Sequence, residues 1–417
     1  MNIDIDRARF VQTMKEQADI GATDEGGLDR LALTDDDREV RDWFRDRLEE
    51  LGLEVYVDEM GNTFGRRPGT SADAGTVLLG SHLDSQPDGG IYDGPLGVVA
   101  ALEFVRVLEE EGIETEHPVE VVNWTNEEGS RFQPAMMSSE VWAGKTPVEE
   151  AYETTDTDGT RFVDALERIG YRGDVPAEPQ YEYDSYLELH IEQGPHLERG
   201  GHDVGVVTDI VGLQWGEVTF HGEANHTGTT PMHYRRDALV AASDVITGIR
   251  RIPNSLGNRT VATTGDIEVE PGSINIVPET VRFTFDVRDT DDEIIEQGVE
   301  RVRAEIRTAA EREGVDWEYE ERMNAGSVDF ADRCIDAVAG AADDLGYDAV
   351  EMVSGAGHDA THAASVCDAG MVFAVSEGGK SHTPEEYTSW DDCHKAANTY
   401  ANAALRLTGV AEGSNRS

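Results

Sequence analysis

Hydrophobic and polar residues follow two rhythms along this chain, one typical of helices and one typical of strands. Near the N-terminus, LTDDDREVRDWFRDRLEELG (33–52) repeats apolar residues at helical spacing, begins with acids and ends at a glycine. Residues 5–52 are therefore predicted to be helical. Strands are then predicted at 76–84, 119–128 and 186–194, with a helix at 94–112. This alternation predicts an α/β fold with a mostly parallel, twisted sheet and helices on both faces.

The pattern changes in the middle of the chain, between about 211 and 324. The predicted order there is βαββαβ, which is the order of the ferredoxin-like motif. Its elements are predicted at 215–224, 235–252, 259–270, 273–289, 290–314 and 315–322. A segment this long with its own alternation indicates an inserted α+β domain.

The α/β pattern resumes after the insertion. A helix is predicted at 329–345, strands near 350 and at 371–375, and a last helix at 391–408. A chain of 417 residues also exceeds the usual size of a single core. We therefore predict one domain made of 1–210 and 326–417, and a second, inserted domain at 211–325.

Charge adds a constraint that the pattern does not. The chain has 85 acidic and 34 basic residues, for a formal net charge of −51, and 38% of its residues are hydrophobic. Such a charge destabilises a compact fold by self-repulsion, which molar salt screens because the Debye length falls to about 3 Å. An ordinary acidic surface is one interpretation. A protein adapted to a high-salt cytoplasm is favoured, because the acids are spread over all segments.

The same features bear on partners and location. A strongly negative chain is a poor partner for nucleic acid. The start MNIDIDRARF lacks a basic-then-apolar signal, and no apolar run approaches the ~20 residues of a membrane span. Three cysteines without metal spacing, Cys334, Cys367 and Cys393, are expected to be reduced thiols. We expect a soluble cytoplasmic protein that binds neither nucleic acid nor membrane.

Histidines and acids gather where the predicted strands end. They are His82, Asp84, Asp93, Glu127, Glu128, His190 and His382. A lone loop histidine is more often a solvated side chain than a ligand, but several such groups at one sheet edge indicate a site. Mixed imidazole and carboxylate groups suit Zn²⁺, or Mn²⁺ or Co²⁺.

Several strings around these residues resemble one family. They are GSHLDS (80–85), GIYDGPLGV (90–98), NEEGSRF (126–132), HIEQGP (190–195), NHTGTTPM (225–232), SINIVP (273–278), FDVRD (285–289), SGAGHDA (354–360) and SHTPEEY (381–387). The chain resembles, over nearly its whole length, the hydantoinase/carbamoylase branch of the dinuclear metallohydrolases. That branch includes N-carbamoyl-L-amino acid hydrolases, allantoate amidohydrolases and β-ureidopropionases.

The resemblance implies an aminopeptidase-like catalytic domain with two divalent metal ions per subunit. It assigns Asp93 as the bridge between the ions, with His82 and His190 completing one site and Glu128 and His382 completing the other. Asp84 would orient the imidazole of His82. Glu127 would be the catalytic general base, acting on a water that the ions activate.

The resemblance also implies how substrate is held. Arg288 would bind a substrate carboxylate, Asn275 would hydrogen-bond beside it, and the catalytic His226 would stabilise the oxyanion. Gln193, Gln214, Gly357 and His358 would line the pocket. The inserted domain would be a lid and the interface of a homodimer, with His226 and Asn275 supplied by the partner. From the residues alone, a surface ion pair is the favoured interpretation of Arg288, because a chain with 85 acids offers many partners, and Asn275 could be a structural residue before a proline.

The predicted function is metal-dependent hydrolysis of a linear amide or ureido C–N bond, first of an N-carbamoyl-L-amino acid. Allantoate hydrolysis is an alternative, and an aminoacylase or exopeptidase on the same scaffold is another. A catalytically dead binding protein is disfavoured, because Glu127 and all five metal-ligand candidates are present. Two departures from the family, at Ser85-Gln86-Pro87 and SSEVWAGK (138–145), concern the pocket wall and leave the substrate open.

Overall fold

The computed structural model describes residues 1–71 and 73–411. Its first helices and strands are α1 (Arg7–Ala18), α2 (Asp35–Glu50), β1 (Glu54–Val57), β2 (Thr63–Arg67), β3 (Thr76–His82), α3 (Pro95–Glu111), β4 (Val119–Trp124), α4 (Met137–Trp142), α5 (Val148–Glu153), α6 (Phe162–Ile169), β5 (Tyr183–Ile191), α7 (His196–Gly200) and β6 (Val204–Ile210). The middle of the chain forms β7 (Gly212–His221), β8 (Asn225–His226), α8 (Ala238–Arg251), β9 (Val261–Glu270), β10 (Ile276–Val277), β11 (Thr280–Asp289), α9 (Asp292–Glu313), β12 (Asp316–Ala325) and β13 (Val328–Asp329). The last elements are α10 (Asp332–Leu345), β14 (Ala349–Ser354), α11 (Ala360–Ala363), β15 (Asp368–Ala374) and α12 (Trp390–Thr408).

These elements form two compact units. Met1–Thr208 and Phe330–Ser417 make the first, and Asp209–Asp329 makes the second. The junctions predicted from the sequence lie within four residues of these bounds. At the second unit's ends, β13 pairs antiparallel with Asp209 and Ile210, so the two connecting segments lie side by side.

The first unit is built on a sheet with strand order β1-β2-β4-β3-β5-β15-β6, and β14 also pairs with β6. The central strands β4, β3, β5 and β15 run parallel to one another, whereas β1, β2 and β6 pair antiparallel at the flanks. The predicted α/β class with a mostly parallel sheet is confirmed. The four parallel strands position the candidate site, because their carboxyl ends all lie at the same edge of the sheet.

Burial explains why the central elements form. Every residue of β3 and β4 is buried, as expected for strands covered by helices on both faces. Helix α3 is packed into the main core and begins with Pro95 at its first turn. Gly94 and Gly112 flank it with φ of 83° and 64°, conformations that a glycine adopts without strain.

The second unit has a four-stranded antiparallel sheet, ordered β12-β7-β11-β9, with α8 and α9 packed on one face. Alternate residues of β11 are buried against these helices: Val281, Phe283, Phe285 and Val287. The element order is the predicted ferredoxin-like βαββαβ. The sequence did not predict the separate two-stranded ribbon of β8 and β10.

Two element boundaries differ from the predictions in a way that matters for the site. The strand predicted at 119–128 ends at Trp124, so Glu127 and Glu128 lie in the following loop. The helical region predicted at 5–52 is broken between Ala18 and Asp35. In the described part of the chain, no helix combines the length and apolar character needed to cross a membrane.

Candidate active site

The candidate metal ligands converge at the carboxyl ends of the central parallel strands. His82 is the last residue of β3 and is paired in register with Trp124, the last residue of β4. His190 lies at the end of β5, and Glu127 follows β4 by three residues. Ligands in open α/β sheets bind at this edge, where loops leave neighbouring strands together.

One group of possible metal ligands consists of His82, Asp93 and His190. Their ligand atoms all lie within 4.8 Å of one another, and all three side chains are buried. Oδ1 of Asp93 is 3.0 Å from Nε2 of His190 and 3.5 Å from Nε2 of His82. Both imidazoles therefore aim the same nitrogen at one carboxylate oxygen.

A second group consists of Asp93, Glu128 and His382, again within 4.8 Å of one another. Nε2 of His382 is 3.6 Å from Oδ2 of Asp93 and 3.5 Å from Oε2 of Glu128. Asp93 thus presents one oxygen to each group. His382 is exposed by 48% of its side chain and has a φ of 55°, a conformation uncommon for a residue other than glycine.

The chemistry of these residues fits a pair of cations. Nε2 of His82 is buried and, among the described residues, has no hydrogen-bond partner, although it faces carboxylates. Burial raises the pKa of Glu128 to about 8 and that of Glu127 well above its usual range. At neutral pH such acids stay charged only beside positive charge. Imidazole nitrogens and carboxylate oxygens are the donors that Zn²⁺ and related ions take.

Asp84 contacts this edge of the sheet through both its main chain and its side chain. Nδ1 of His82 lies 2.9 Å from the backbone carbonyl of Asp84, while its distance to the Asp84 carboxylate is 3.8 Å. The hydrogen bond to the imidazole is therefore made by the main chain of Asp84, and its carboxylate lies at ion-pair distance from the same nitrogen. The carboxylate also accepts hydrogen bonds from the backbone amides of Glu127 and Glu128, each at 3.3 Å.

The two adjacent glutamates have different surroundings. The carboxylate of Glu128 accepts hydrogen bonds from the backbone and side-chain nitrogens of Gln86, at 3.1 and 2.7 Å. Glu127 belongs to neither ligand group, and its Oε2 lies 3.6 Å from Nε2 of His82. Gln86 belongs to the Ser85-Gln86-Pro87 segment noted in the sequence, and the structure makes it a partner of Glu128.

Three more residues surround Asp93. Gln193, predicted to line the pocket, donates from Nε2 to Oδ2 of Asp93 at 2.7 Å. The hydroxyl of Ser381 lies 2.8 Å from the same oxygen and 3.0 Å from the carboxylate of Glu386. Glu386 also accepts hydrogen bonds from the backbone amides of Tyr92 and Asp93.

Sequence reasoning did not assign roles to Ser381 and Glu386, although both lie in SHTPEEY. Glu386 is 5% exposed, and it approaches Gly90 so closely that a Cβ there would lie 2.0 Å from Oε1. One feature of the sequence could have indicated a role for Glu386. It belongs to a pair of adjacent acids, Glu385 and Glu386, close to His382, as Glu127 and Glu128 form a pair in their own motif. A second feature was the pair of glycines at 89–90, which leaves room for the Glu386 side chain.

His358 lies beside the first ligand group. Its ring centroid is 4.5 Å from that of His190, and its Nε2 is 3.0 Å from the hydroxyl of Ser354. Burial lowers the pKa of His358 well below its usual range, and His190 acts in the same direction. The preceding residue, Gly357, leaves room for Met136, whose Cε would be 2.8 Å from a Cβ at that position.

The remaining predicted site residues lie in the second unit. His226 and Asn275 are neighbours on the β8–β10 ribbon, where the amide of Thr227 donates to the carbonyl of Asn275 at 3.1 Å. Both side chains are exposed. Nδ1 of His226 accepts a hydrogen bond from the amide of Gly228 at 3.0 Å, which leaves the other ring nitrogen, Nε2, as its outer edge.

Gln214 and Arg288 lie on opposite faces of the inserted sheet. Gln214 pairs in register with Val287, a core residue, so it points toward the helices. There it donates to Glu321 at 2.5 Å. Arg288 points to the other face and forms an ion pair with Asp286 at 2.8 Å. Gln214 and Arg288 therefore face opposite sides of this sheet, and the assignment of Gln214 to a substrate pocket stays a prediction.

Comparison with known proteins identifies relatives over the full length. The model of peptidase family M20/M25/M40 matches residues 78–406. An N-carbamoyl-L-amino-acid amidohydrolase from Rhizobium meliloti is 41% identical, with 97% of each chain covered. An allantoate amidohydrolase from Bacillus subtilis is 35% identical, covering 89% of this chain and 90% of that protein.

Solved structures agree with these sequences. The crystal structure of an amidase of the hydantoinase/carbamoylase family from Burkholderia multivorans superposes with a TM-score of 0.93. It is 44% identical in sequence, and the match covers 97% of this chain and 98% of that one. The resemblance derived from the motifs is therefore confirmed.

Proposed function

This chain belongs to peptidase family M20/M25/M40 as a hydrolase of non-peptide carbon–nitrogen bonds, and we propose that its substrate is an N-carbamoyl-L-amino acid. Hydrolysis of the ureido group would release ammonia and carbon dioxide and leave the amino acid. One observation carries the proposal. Asp93 is shared by two groups of metal-ligand type in a chain 41% identical to an N-carbamoyl-L-amino-acid amidohydrolase.

The proposed cofactors are two divalent ions per subunit. His82, Asp93 and His190 would hold one, and Asp93, Glu128 and His382 would hold the other. The mixed donors suit Zn²⁺, with Mn²⁺ or Co²⁺ as alternatives. When bound, such ions lower the pKa of a water molecule and polarise the substrate carbonyl.

Glu127 would be the general base. It is buried near His82 but belongs to neither ligand group, so its carboxylate is available to a proton. It would take the proton of the attacking water and pass it to the leaving nitrogen. Asp84 supports this role, since its carboxylate holds the backbone of both glutamates and sets their directions.

The second unit would supply the contacts to the amino-acid part of the substrate. Arg288 offers a planar guanidinium to the carboxylate, and its present pairing with Asp286 means that substrate would compete with that acid. Asn275 would hydrogen-bond near the carboxylate. His226 would donate from its outer nitrogen to the oxyanion that forms at the reacting carbonyl.

We also propose that the chain forms a homodimer through the second unit, which would act as a lid and interface. Large apolar side chains are exposed near His226 and Asn275: Met232 by 74%, Tyr234 by 71% and Ile274 by 102%. Exposed large apolar side chains at these positions would be covered if this part of the second unit formed an interface. The proposal has His226 and Asn275 completing the site of the partner subunit.

Allantoate hydrolysis is the second candidate. The observation that favours it is the 35% identity to the allantoate amidohydrolase from Bacillus subtilis. Allantoate also presents a carboxylate and ureido groups, so the same residues would serve. A substrate panel separates the two.

The test measures ammonia release from N-carbamoyl-L-amino acids and from allantoate, in molar salt with Zn²⁺, Mn²⁺ or Co²⁺ added in turn. N-acetyl amino acids and dipeptides are assayed beside them, and Glu127→Gln is the control for contaminating activity. Turnover of the N-carbamoyl compounds above the others supports the proposal. Hydrolysis of N-acetyl amino acids or dipeptides alone would refute it, and preference for allantoate would select the second candidate.

A further inference from the structure

Glu386 joins the two loops that carry Asp93 and His382, which precede α3 and α12. Its Oε1 accepts hydrogen bonds from the backbone amides of Tyr92 and Asp93, at 3.1 and 3.2 Å. Its Oε2 lies 3.0 Å from the hydroxyl of Ser381, the residue before His382. One buried side chain therefore contacts the backbone of the first loop and a side chain of the second.

Ser381 extends this contact to a ligand atom. Its hydroxyl lies 2.8 Å from Oδ2 of Asp93, and that oxygen faces Nε2 of His382 at 3.6 Å. Glu386 thus reaches Asp93 by two routes. One is direct, at the backbone amide, and the other passes through Ser381 to Oδ2, the oxygen that belongs to the second ligand group.

The two ligand groups differ in how their histidines are held. His82 and His190 are buried residues of β3 and β5, so the backbone hydrogen bonds of the sheet fix their positions. His382 lies in a loop, and 48% of its side chain is exposed. Its position depends on the contacts that this loop makes. Glu386, itself 5% exposed, supplies such a contact.

We propose that Glu386 is a positioning residue for the second ligand group, because it fixes Asp93 and the loop of His382 relative to each other. This inference rests on the two divalent ions of the proposed function. Glu386 belongs to neither ligand group, so it would act through Asp93 and His382. Its loss should weaken one of the two ions selectively, whereas loss of a merely structural residue would lower stability without that selectivity.

Substitutions at Glu386 separate position from charge. Glu386→Ala removes the contact. Glu386→Gln keeps it, because the side-chain oxygen can accept from both backbone amides while the nitrogen donates to Ser381, whose own proton then goes to Asp93. Glu385 is the adjacent acid, is exposed and pairs with Lys380, so Glu385→Ala is the control for loss of an acid from this loop.

Gly90→Ala disturbs the same contact from the other loop. A Cβ at Gly90 would lie 2.0 Å from Oε1 of Glu386, so the glutamate side chain would have to move. Gly89→Ala is the matched control, since the nearest atom to a Cβ there is the carbonyl oxygen of Gln86, at 3.1 Å. Neither glycine has a positive φ, so alanine suits the backbone at both positions. Gly90→Ala carries the comparison if Glu386→Ala fails to fold.

The experiment titrates the metal-free full-length protein with Co²⁺ in molar salt and follows binding by calorimetry and visible absorption. Elemental analysis after dialysis counts the ions retained, and the melting temperature of each metal-free variant reports folding. In Glu386→Ala and Gly90→Ala we expect one ion to bind about 10- to 100-fold more weakly than in wild type, and the other to stay within about threefold. Glu386→Gln and both controls should bind two ions as wild type does.

Two results with the variants would overturn the inference while leaving the proposed function in place. One is equal weakening of both ions, or of neither, in Glu386→Ala. The other is a loss in Glu386→Gln as large as that in Glu386→Ala, which would assign the effect to charge and not to position. A wild-type protein that binds fewer than two ions would refute the proposed cofactors, and this inference with them.

Discussion

The carboxylate of Asp84 accepts a hydrogen bond from the backbone amide of Glu127 at 3.3 Å. The equivalent contact to Glu128 has the same length, so one buried carboxylate clamps the start of a loop that carries two adjacent acids. This clamp fixes which way each acid points. It turns an acidic doublet that would otherwise repel itself into two side chains with different surroundings.

Asp84→Asn is expected to lower kcat about 10- to 100-fold at saturating metal, as loss of a group that orients metal-site residues typically does. The amide would accept from one backbone N–H and present its own N–H to the other. Asp88→Asn, in the same loop but exposed, is the matched control. Equal activity in both variants would mean that the clamp does not matter for turnover.

Glu127→Gln and Glu128→Gln are expected to separate the two glutamates. Glu127→Gln should lower kcat by about 10²- to 10⁴-fold, the usual contribution of a general base, while metal content stays at wild-type level. Glu128→Gln should lower metal content, measured by elemental analysis after dialysis. Equal metal loss in both variants would show that the assigned division of roles is wrong.

A mixing experiment tests whether sites are shared between subunits. His226→Ala and Glu127→Gln are each expected to be inactive alone. If His226 acts across a dimer interface, mixing and refolding equal amounts should restore about a quarter of wild-type activity, because one site in each mixed dimer is intact. Refolded single variants are the controls. No recovery in a mixture shown by size to be dimeric would place His226 in its own subunit's site.

Glu120 is expected to make stability depend on pH. It is fully buried, the hydroxyls of Tyr56 and Tyr183 donate to it, and burial raises its pKa to about 7. Between about 4.5, the unfolded value, and 7 the folded protein binds more protons, so the free energy of unfolding falls as pH rises. The total loss is on the order of 3 kcal/mol.

Glu120→Gln removes this titration while keeping hydrogen bonds to both tyrosines. Its unfolding free energy relative to wild type should therefore increase as pH rises from about 4.5 to 7, and level off outside that window. Chemical denaturation at fixed molar salt gives the measurement. Glu54→Gln, an exposed neighbour on β1, should show no such step. Parallel pH profiles for wild type and Glu120→Gln would contradict the assignment.

The net charge of −51 is expected to make folding depend on salt. Melting temperature should rise steeply between about 0.1 and 1 M KCl, where the Debye length falls from about 10 to 3 Å, and more slowly above. Unfolding in dilute buffer should be reversed by restoring salt. A melting temperature insensitive to KCl over this range would refute adaptation to a high-salt cytoplasm.

Several features follow from the sequence because they depend on local pattern. Helix α3 was predicted within one residue at each end, since Gly94 and Gly112 flank a segment rich in apolar residues. The histidines and acids at strand ends could be grouped because carboxyl ends of parallel strands share an edge. The sequence motifs then indicated the family, and the comparison with known proteins confirmed it.

Tertiary structure alone decided the contacts that orient these residues. Which group of Asp84 faces His82, its carbonyl or its carboxylate, depends on the path of a loop and not on its composition. The side of the sheet on which Gln214 lies was set by its pairing with Val287 across two strands far apart in the chain. Glu386 accepts a hydrogen bond from the backbone amide of Asp93, although the two residues are 293 positions apart in the chain. Only the folded chain brings their two loops together. The sequence determined which chemistry is present; packing determined which atom of each residue performs it.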